Sequence, residues 1–245
     1  MKTAKLCSFE TLLLEHLGSL QTPWGRWRLR CYLRWKRVAW RWLVGGALMV
    51  KRVVDVVLSF CALVLLSPLF LLIALAIKLE GGGPIIFVQP RVGRFGRKFK
   101  MYKFRSMHPD AEQRLKELLG QNHHSHGITF KIKDDPRITK VGRWLRKYSF
   151  DELPQFYNVL IGDMSLVGPR PPLPREVALY SLADRRRLSA APGITCLWQI
   201  SGRAKIDFPN QVQLDVQYIE SRNLWQDIKI LARTIPAVLS GTGAY

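Results

Sequence analysis

The sequence holds no CxxC pair, no repeat and no low-complexity tract. Its four cysteines, Cys7, Cys31, Cys61 and Cys196, lie far apart, which excludes a disulfide framework and reads as reduced thiols on the cytosolic side. Acidic residues are scarce: 18 Asp and Glu stand against 38 Lys and Arg, for a formal net charge of +20. That balance predicts attraction to polyanions, whether anionic lipid, nucleic acid or nucleotide. What is present is globular in composition, 48% apolar and 23% charged over 245 residues. Such a chain makes one compact domain with additions, not comfortably two.

Charge is missing altogether from Val56 to Ile77, VVLSFCALVLLSPLFLLIALAI. As one helix this run is ~33 Å long, enough to cross a bilayer core of ~30 Å. It starts too late and lacks the small-residue cleavage pattern for a signal peptide. Two features oppose a straight span. Arg34, Lys36, Arg37, Arg41, Lys51 and Arg52 precede the run, and Lys78, Arg91, Arg94, Arg97, Lys98 and Lys100 follow it. The positive-inside bias therefore keeps both flanks on the cytoplasmic side. Ser67-Pro68 also stands mid-run, where proline removes a backbone hydrogen bond and breaks the helix at ~3 kcal/mol, the serine hydroxyl being free to serve the orphaned carbonyl. The expectation is a helix-break-helix that enters one leaflet and returns. Asp55, a turn from Lys51 and Arg52, reads as a paired charge near the headgroups.

Upstream, Trp24, Trp27, Cys31, Trp35, Val38 and Trp42 recur at spacings of three and four, beside a stripe of Arg30, Arg34, Arg37 and Arg41. Such a helix suits the lipid interface; the alternative is a surface helix packed on the protein's own core. The organisation expected is an N-terminal extension over 1–50, a re-entrant membrane helix over 51–80 and a catalytic domain over 81–245.

Within 81–245, PIIFVQPRVG and RKFKMYKFRSM read as a hairpin turning at Gly93-Arg94-Phe95-Gly96. Asp135-Pro136 reads as the cap of a helix to about Lys147, and Asp151 to Leu160 as a second short helix whose dipole keeps its first-turn carboxylates ionised. Helices are also expected near 109–119, 175–189, 208–221 and 224–240. The fold class is α+β, mostly helical, with a short β-hairpin and interfacial amphipathic helices.

The chemistry concentrates in Ser149 to Pro171, SFDELPQFYNVLIGDMSLVGPRP. Asp151 and Glu152 are adjacent carboxylates in cationic surroundings, with Arg146 five residues before Asp151 and Arg170 held between two prolines. An aspartate so placed can accept a phosphoryl group, and Mg²⁺ needs only one or two carboxylates plus substrate phosphates. Most adjacent Asp-Glu pairs are merely solvated helix starts. Lys103 and Arg105 alternate along a strand and Arg170 suits a bidentate phosphate contact, though each alone reads as surface charge. Asp163 and Asp135 read as turn or cap residues. His123, His124 and His126 lack acidic partners and do not make a metal site.

The runs KMYKFRSM, DPRITKVGRWLRKYSFDELPQFYNVLIGDMSLVGPRP and APGITCLWQISGR resemble the bacterial sugar transferases, the monotopic polyprenyl-phosphate phosphoglycosyl transferases, over about 51–245. The LWQISGR loop and the GAY ending resemble the hexose-1-phosphate transferases of the exopolysaccharide group. The resemblance implies a re-entrant helix broken at Ser67-Pro68 and a catalytic dyad at Asp151-Glu152. Asp151 is expected to attack the sugar-bearing phosphate of a nucleotide sugar, usually a UDP-sugar, expelling UMP. Polyprenyl (undecaprenyl) phosphate then takes the phosphosugar, the first membrane step of exopolysaccharide, capsule or O-antigen synthesis. Mg²⁺ is the implied cofactor, with Asp151 as ligand; Glu152 either helps hold it or deprotonates the lipid phosphate. Arg146 and Arg170 match the family's phosphate-binding arginines, and Arg203 and Lys103 are expected beside them. The location implied is the bacterial inner membrane, catalytic domain cytoplasmic.

Three departures stand out. Cys196 replaces a usual glycine, and the transmembrane helices and extra domain of larger relatives are replaced by the Trp/Arg segment, for which homo-oligomer contacts are a second role. A basic nucleic-acid-binding membrane protein explains the charge but not the dyad, and no nucleic-acid module is recognisable, so no nucleic-acid partner is expected. A dead assembly scaffold is opposed by the intact Asp151, Glu152 and Arg170.

Overall fold

The computed structural model describes residues 22–111, 113, 135–202 and 206–240, with side chains 40–44 left aside. Arg203, the three histidines and Asp134 lie outside these residues, as do the Arg41 and Trp42 side chains and most of the helix expected over 109–119. The chain divides into units Met1–Val50 and Lys51–Tyr245.

In the first unit the described residues are helical from Pro23. Thr22 Oγ1 accepts from the Gly25 amide at 3.0 Å, and proline stands first in the helix, where its missing N–H costs nothing. Trp24 and Trp27 stack with ring centroids 4.9 Å apart. The expected stripe is exposed at Trp24, Trp27, Cys31, Trp35 and Val38, so this helix is not packed on a core of its own unit.

Helix α1 (Pro23–Leu65) breaks at Leu66 and continues as α2 (Ser67–Gly81). The pair Gly45–Leu65 and Ser67–Gly81 bends by 60°, and no single described helix is long and apolar enough to cross a membrane. The cause is local. Pro68 cannot donate to the Val64 carbonyl four residues back, and the Ser67 hydroxyl donates to that carbonyl instead, at 2.8 Å. The sequence expectation for this step holds.

Both ends of the bent pair are fastened to the same body. At the start of the apolar run, the Arg52 guanidinium donates to the Val159 and Leu160 carbonyls (2.6 and 2.9 Å). At the far end, Ile73 and Ile77 are buried in a core with Phe104 and Leu145. There too, Glu80 accepts from the Val141 amide at 3.0 Å, and Arg105 caps the Gly82 carbonyl. Arg105 therefore closes the helix end and does not share a phosphate-binding face with Lys103.

The second core joins Phe99, Met101, Val159, Met164, Leu166, Val167, Tyr218 and Ile230. Strands β1 (Ile86–Val92) and β2 (Lys98–Phe104) form the expected antiparallel hairpin, turning through Gly93 and a 3-10 turn at Arg94–Gly96. Helix α3 (Lys140–Lys147) is capped by Thr139, whose Oγ1 accepts from Gly142 at 2.9 Å. This corrects the start placed at Asp135-Pro136: Asp135 is instead buried against Arg137. A 3-10 turn at Phe150–Glu152 precedes α4 (Gln155–Ile161). Strands β3 (Ser165–Val167) and β4 (Gly193–Thr195) then pair in parallel. Short helices α5 (Pro174–Ala178) and α6 (Leu197–Ser201) flank a 3-10 segment (Asp184–Ser189) and β4. Helices α7 (Phe208–Ser221) and α8 (Leu224–Ser240) match the sequence reading. Among the described residues the fold is mostly helical with a small hairpin sheet, as the expected class had it. Along α8, Asp227 and Ile230 are buried while Trp225, Ile228, Ile235 and Leu239 are exposed.

Candidate active site

The dyad sits in the 3-10 turn, not in the first turn of an α-helix. Ser149 before it takes φ 56°, a left-handed conformation that lets the chain leave α3 and turn back at once. The turn leaves Asp151 almost fully buried, 6% exposed. Three elements converge on it. Lys103 Nζ, from β2, donates to Glu152 Oε1 at 2.7 Å and stands 3.9 Å from Asp151 Oδ2. Arg170 Nη2, from the turn after β3, donates to the same Glu152 oxygen at 2.9 Å. Arg146, at the end of α3, is near enough to act on Asp151 electrostatically.

The two carboxylates titrate in opposite directions. Burial would push Glu152 up, but Arg170 and Lys103 outweigh it and hold that carboxyl far below its usual range. Asp151 is pushed up, chiefly by burial and then by the Glu152 charge, against the pull of Lys103, Arg146 and Arg170. The helix dipole expected to stabilise both charges does not govern Asp151, where desolvation is the largest influence. Lys103 is lowered by burial despite its two acidic neighbours, and Arg170 is raised, first of all by Glu152. Among the described residues no hydrogen bond reaches the Asp151 carboxylate, while one Glu152 oxygen carries two cations.

Two residues that hold this arrangement were not among the site residues expected from the sequence. Arg91, on β1, donates to the Pro171 carbonyl at 2.9 Å and to Gln89 Oε1, while the Val92 amide donates to the Pro172 carbonyl at 3.0 Å. These bonds pin the turn that carries Arg170. Burial, and then Arg170, lower the Arg91 guanidinium to about 10. Asn158 on α4 is wholly buried; its Oδ1 accepts from Tyr102 N (3.0 Å) and its Nδ2 donates to the Lys100 carbonyl (2.7 Å), locking β2 to the dyad's helix. The polar Asn158 inside an otherwise apolar run, FYNVLI, was the available signal.

At the rear, β3 and β4 approach so closely that a Cβ on Gly193 would lie 2.1 Å from the Gly168 nitrogen. Gly168 opens the Arg170 turn and Gly193 opens the ITC loop, so the crossing joins the two. Cys196 is buried, donates to Gln199 Oε1 at 3.2 Å and is close enough to Arg170 for their charges to interact. Its thiol is pushed up by burial.

The described residues hold no group of three His, Cys, Asp or Glu side chains able to cage a metal. Asp151, lacking a hydrogen-bonded partner, still fits a cation that takes one carboxylate and completes its shell with phosphate oxygens and water.

A family model described as bacterial sugar transferase matches residues 46–241. The chain belongs to the bacterial sugar transferase family. It is 54% identical over 198 residues to the galactosyl transferase CpsE of Streptococcus agalactiae, covering 80% of this chain and 44% of that one. To the undecaprenyl-phosphate galactose phosphotransferase of Salmonella typhimurium it is 46% identical over 199 residues, covering 80% and 42%. To the exopolysaccharide production protein ExoY of Rhizobium meliloti it is 42% identical over 205 residues, covering 82% and 90%. The chain therefore spans less than half of the first two relatives and nine-tenths of the third. The dyad, Lys103, Arg146, Arg170 and the Ser67-Pro68 break all fall within the stretch matched by the family model, whereas the Trp/Arg stripe of α1, residues 24–42, falls outside it.

Proposed function

We propose that this chain transfers a sugar-1-phosphate from a UDP-hexose to undecaprenyl phosphate at the cytoplasmic face of the bacterial inner membrane, releasing UMP. The observation that carries the reading is the pairing of a buried carboxylate, free of hydrogen bonds among the described residues, with three cations, beside a carboxylate that holds two of them in place. The family and the relatives' names support the reaction class.

In the first step an Asp151 carboxylate oxygen forms a bond to the sugar-bearing phosphorus, the bond to the bridging oxygen breaks, and UMP leaves with that oxygen. In the second, an oxygen of the lipid phosphate attacks the same phosphorus and the Asp151 carboxylate departs, leaving a polyprenyl-diphospho-sugar. Lys103, Arg146 and Arg170 face the phosphate oxygens on which charge accumulates, an arrangement set before substrate arrives. Glu152 acts as their orienting counter-ion. Its depressed pKa makes it a weak proton acceptor, and a phosphate monoester with a second pKa of about 6 is already mostly dianionic at pH 7, needing little base. Mg²⁺ held by Asp151 and the donor diphosphate would supply neutralisation of the leaving UMP. Splitting the reaction around a covalent aspartyl phosphate predicts ping-pong kinetics.

The anchor reading has its own support. The uncharged stretches on the two sides of the break, roughly 15 Å from Val56 to Leu65 and roughly 17 Å from Ser67 to Ile77, are each too short to span a core of ~30 Å. Since both ends join one body, a re-entrant hairpin brings the dyad to the lipid surface. The exposed apolar faces of α8 and of the Trp/Arg helix suit the same interface.

The test is UMP release from UDP-galactose, UDP-glucose and UDP-N-acetylgalactosamine with Mg²⁺ and undecaprenyl phosphate, comparing wild type with Asp151→Asn. Release with one donor, lost in the variant, is expected. Release that survives the substitution removes the covalent mechanism, and no release with any donor removes the reaction.

A further inference from the structure

Three side chains at the start of the apolar run reach past the membrane helix into the catalytic body. Lys51 Nζ donates to Asp227 Oδ2 at 2.6 Å on α8 and to the Val167 carbonyl at 3.3 Å on β3. Asp55, 5% exposed, accepts from the Leu166 amide (3.2 Å) and the Ser165 hydroxyl (2.8 Å), both on β3. Arg52 takes the two carbonyls at the end of α4. Tyr218, buried on α7, completes the cluster by donating to Asp227 Oδ1 at 2.7 Å. The pairing of Asp55 with Lys51 expected from the sequence is present at 3.9 Å, but the carboxylate is a buried acceptor of backbone and side-chain donors, not a charge at headgroup level.

The elements gripped are the two that carry the site: α4 follows the dyad directly, and β3 runs into Gly168-Pro169-Arg170. The bonds that hold Arg170's turn and β2 to the dyad are others, from Arg91, Asn158 and the β1–β2 ladder. Loosening the clamp should thus free the anchor's angle without dismantling the site. Val53 to Leu65 is a lever of about 20 Å, so a tilt of about 10° moves its tip by about 3 Å. A soluble nucleotide sugar arrives from any direction, whereas a lipid phosphate is confined to headgroup depth.

We propose that Lys51, Arg52 and Asp55 are positioning residues that set the height of the dyad above the lipid surface, and so govern capture of the lipid acceptor rather than the donor-side step. The inference rests on the transfer reaction proposed above.

The experiment compares wild type with Asp55→Asn and the milder Arg52→Lys, both purified and incorporated into vesicles of anionic phospholipid. Read out are UMP release on UDP-sugar alone, the KM for undecaprenyl phosphate, and transfer to a short-chain, water-soluble isoprenyl phosphate. The expected result is donor-side release within about twofold of wild type, acceptor KM raised about tenfold, and unchanged use of the soluble acceptor, since even ~1 Å of misplacement can cost up to about 100-fold. Equal loss of donor release and lipid transfer, equal impairment with the soluble acceptor, or wild-type behaviour in both variants would overturn it. Wild type that releases no UMP overturns the transfer reaction itself, and this inference with it.

Discussion

Two buried polar clusters in the catalytic body are built from the same side-chain types and finished differently. In the clamp, all four carboxylate oxygens of Asp55 and Asp227 accept a hydrogen bond: from Leu166 N, Ser165 Oγ, Tyr218 OH and Lys51 Nζ. In the dyad, one oxygen of Glu152 takes both cations and Asp151 takes no hydrogen bond among the described residues. A carboxylate whose oxygens are all occupied has nothing left to offer a substrate. One left largely buried and unbonded among the described residues, beside fixed cations, is costly to the fold and open to a ligand. Satisfaction, more than burial or charge, separates the part that holds from the part that reacts.

The sharpest break in that comparison is Asp151→Asn. UMP release should fall by about 10⁴-fold, as for loss of a nucleophile that forms the covalent bond. Stability should move the other way. A carboxyl whose folded pKa is raised adds stability only below its unfolded value near ~3.9 and loses it as pH rises through the folded value. Burial of Asp151 is therefore a net cost above that range, and at pH 7 the asparagine variant should melt no lower than wild type. A lower melting temperature would mean that Asp151 holds the fold.

Glu152→Gln comes next, with a fall in kcat/KM of about 100-fold, the size expected when pre-set cations lose their orientation. The wild-type pH profile should be bell-shaped. Its acid limb lies above the ordinary aspartate value because burial raises Asp151, and its alkaline limb lies below the ordinary lysine value because burial lowers Lys103. Glu152 raises both groups, so its removal should shift both limbs to lower pH. Limbs that stay in place would show that these two residues do not control the profile.

The clamp should respond in stability first. Asp227→Asn takes the charge partner from Lys51 and should cost about 2 kcal/mol by chemical denaturation, less than the ~3–5 kcal/mol of a fully buried pair because Lys51 is partly exposed. Unchanged stability would make the ion pair incidental. The smallest effect belongs to Ser67→Ala, which leaves the Val64 carbonyl without the hydroxyl and should cost about 1 kcal/mol. A larger loss would mean that the bend depends on Ser67 more than on Pro68.

Local chemistry was legible in the sequence and distant pairing was not. The Gly93–Gly96 turn, the Ser-Pro break and the bounds of α7 and α8 follow from residues within a few positions of one another. The three-residue parallel pairing of β3 with β4 depends on Gly193 meeting Gly168 with no room for a Cβ, which no local pattern announces. Family resemblance singled out Asp151, Glu152, Arg146 and Arg170, and the fold brings these side chains together. The opposite titration of Asp151 and Glu152 was not, since it needs Lys103 and Arg170 to converge on a single oxygen. Asp55 was misread because its partners, Ser165 and Leu166, lie 110 and 111 residues away. Arg91 was filed with the flanking charges for the same reason.

That separation has a consequence in time. Asp227 follows Lys51 by 176 residues, so at 5–20 residues per second the ribosome needs roughly 10 to 35 seconds to deliver it. The bent helix is complete long before, and on the anchor reading proposed above it meets the bilayer while Asp227 has yet to be made. On that reading the anchor is lodged first and aligned last, by the folding of the domain it carries.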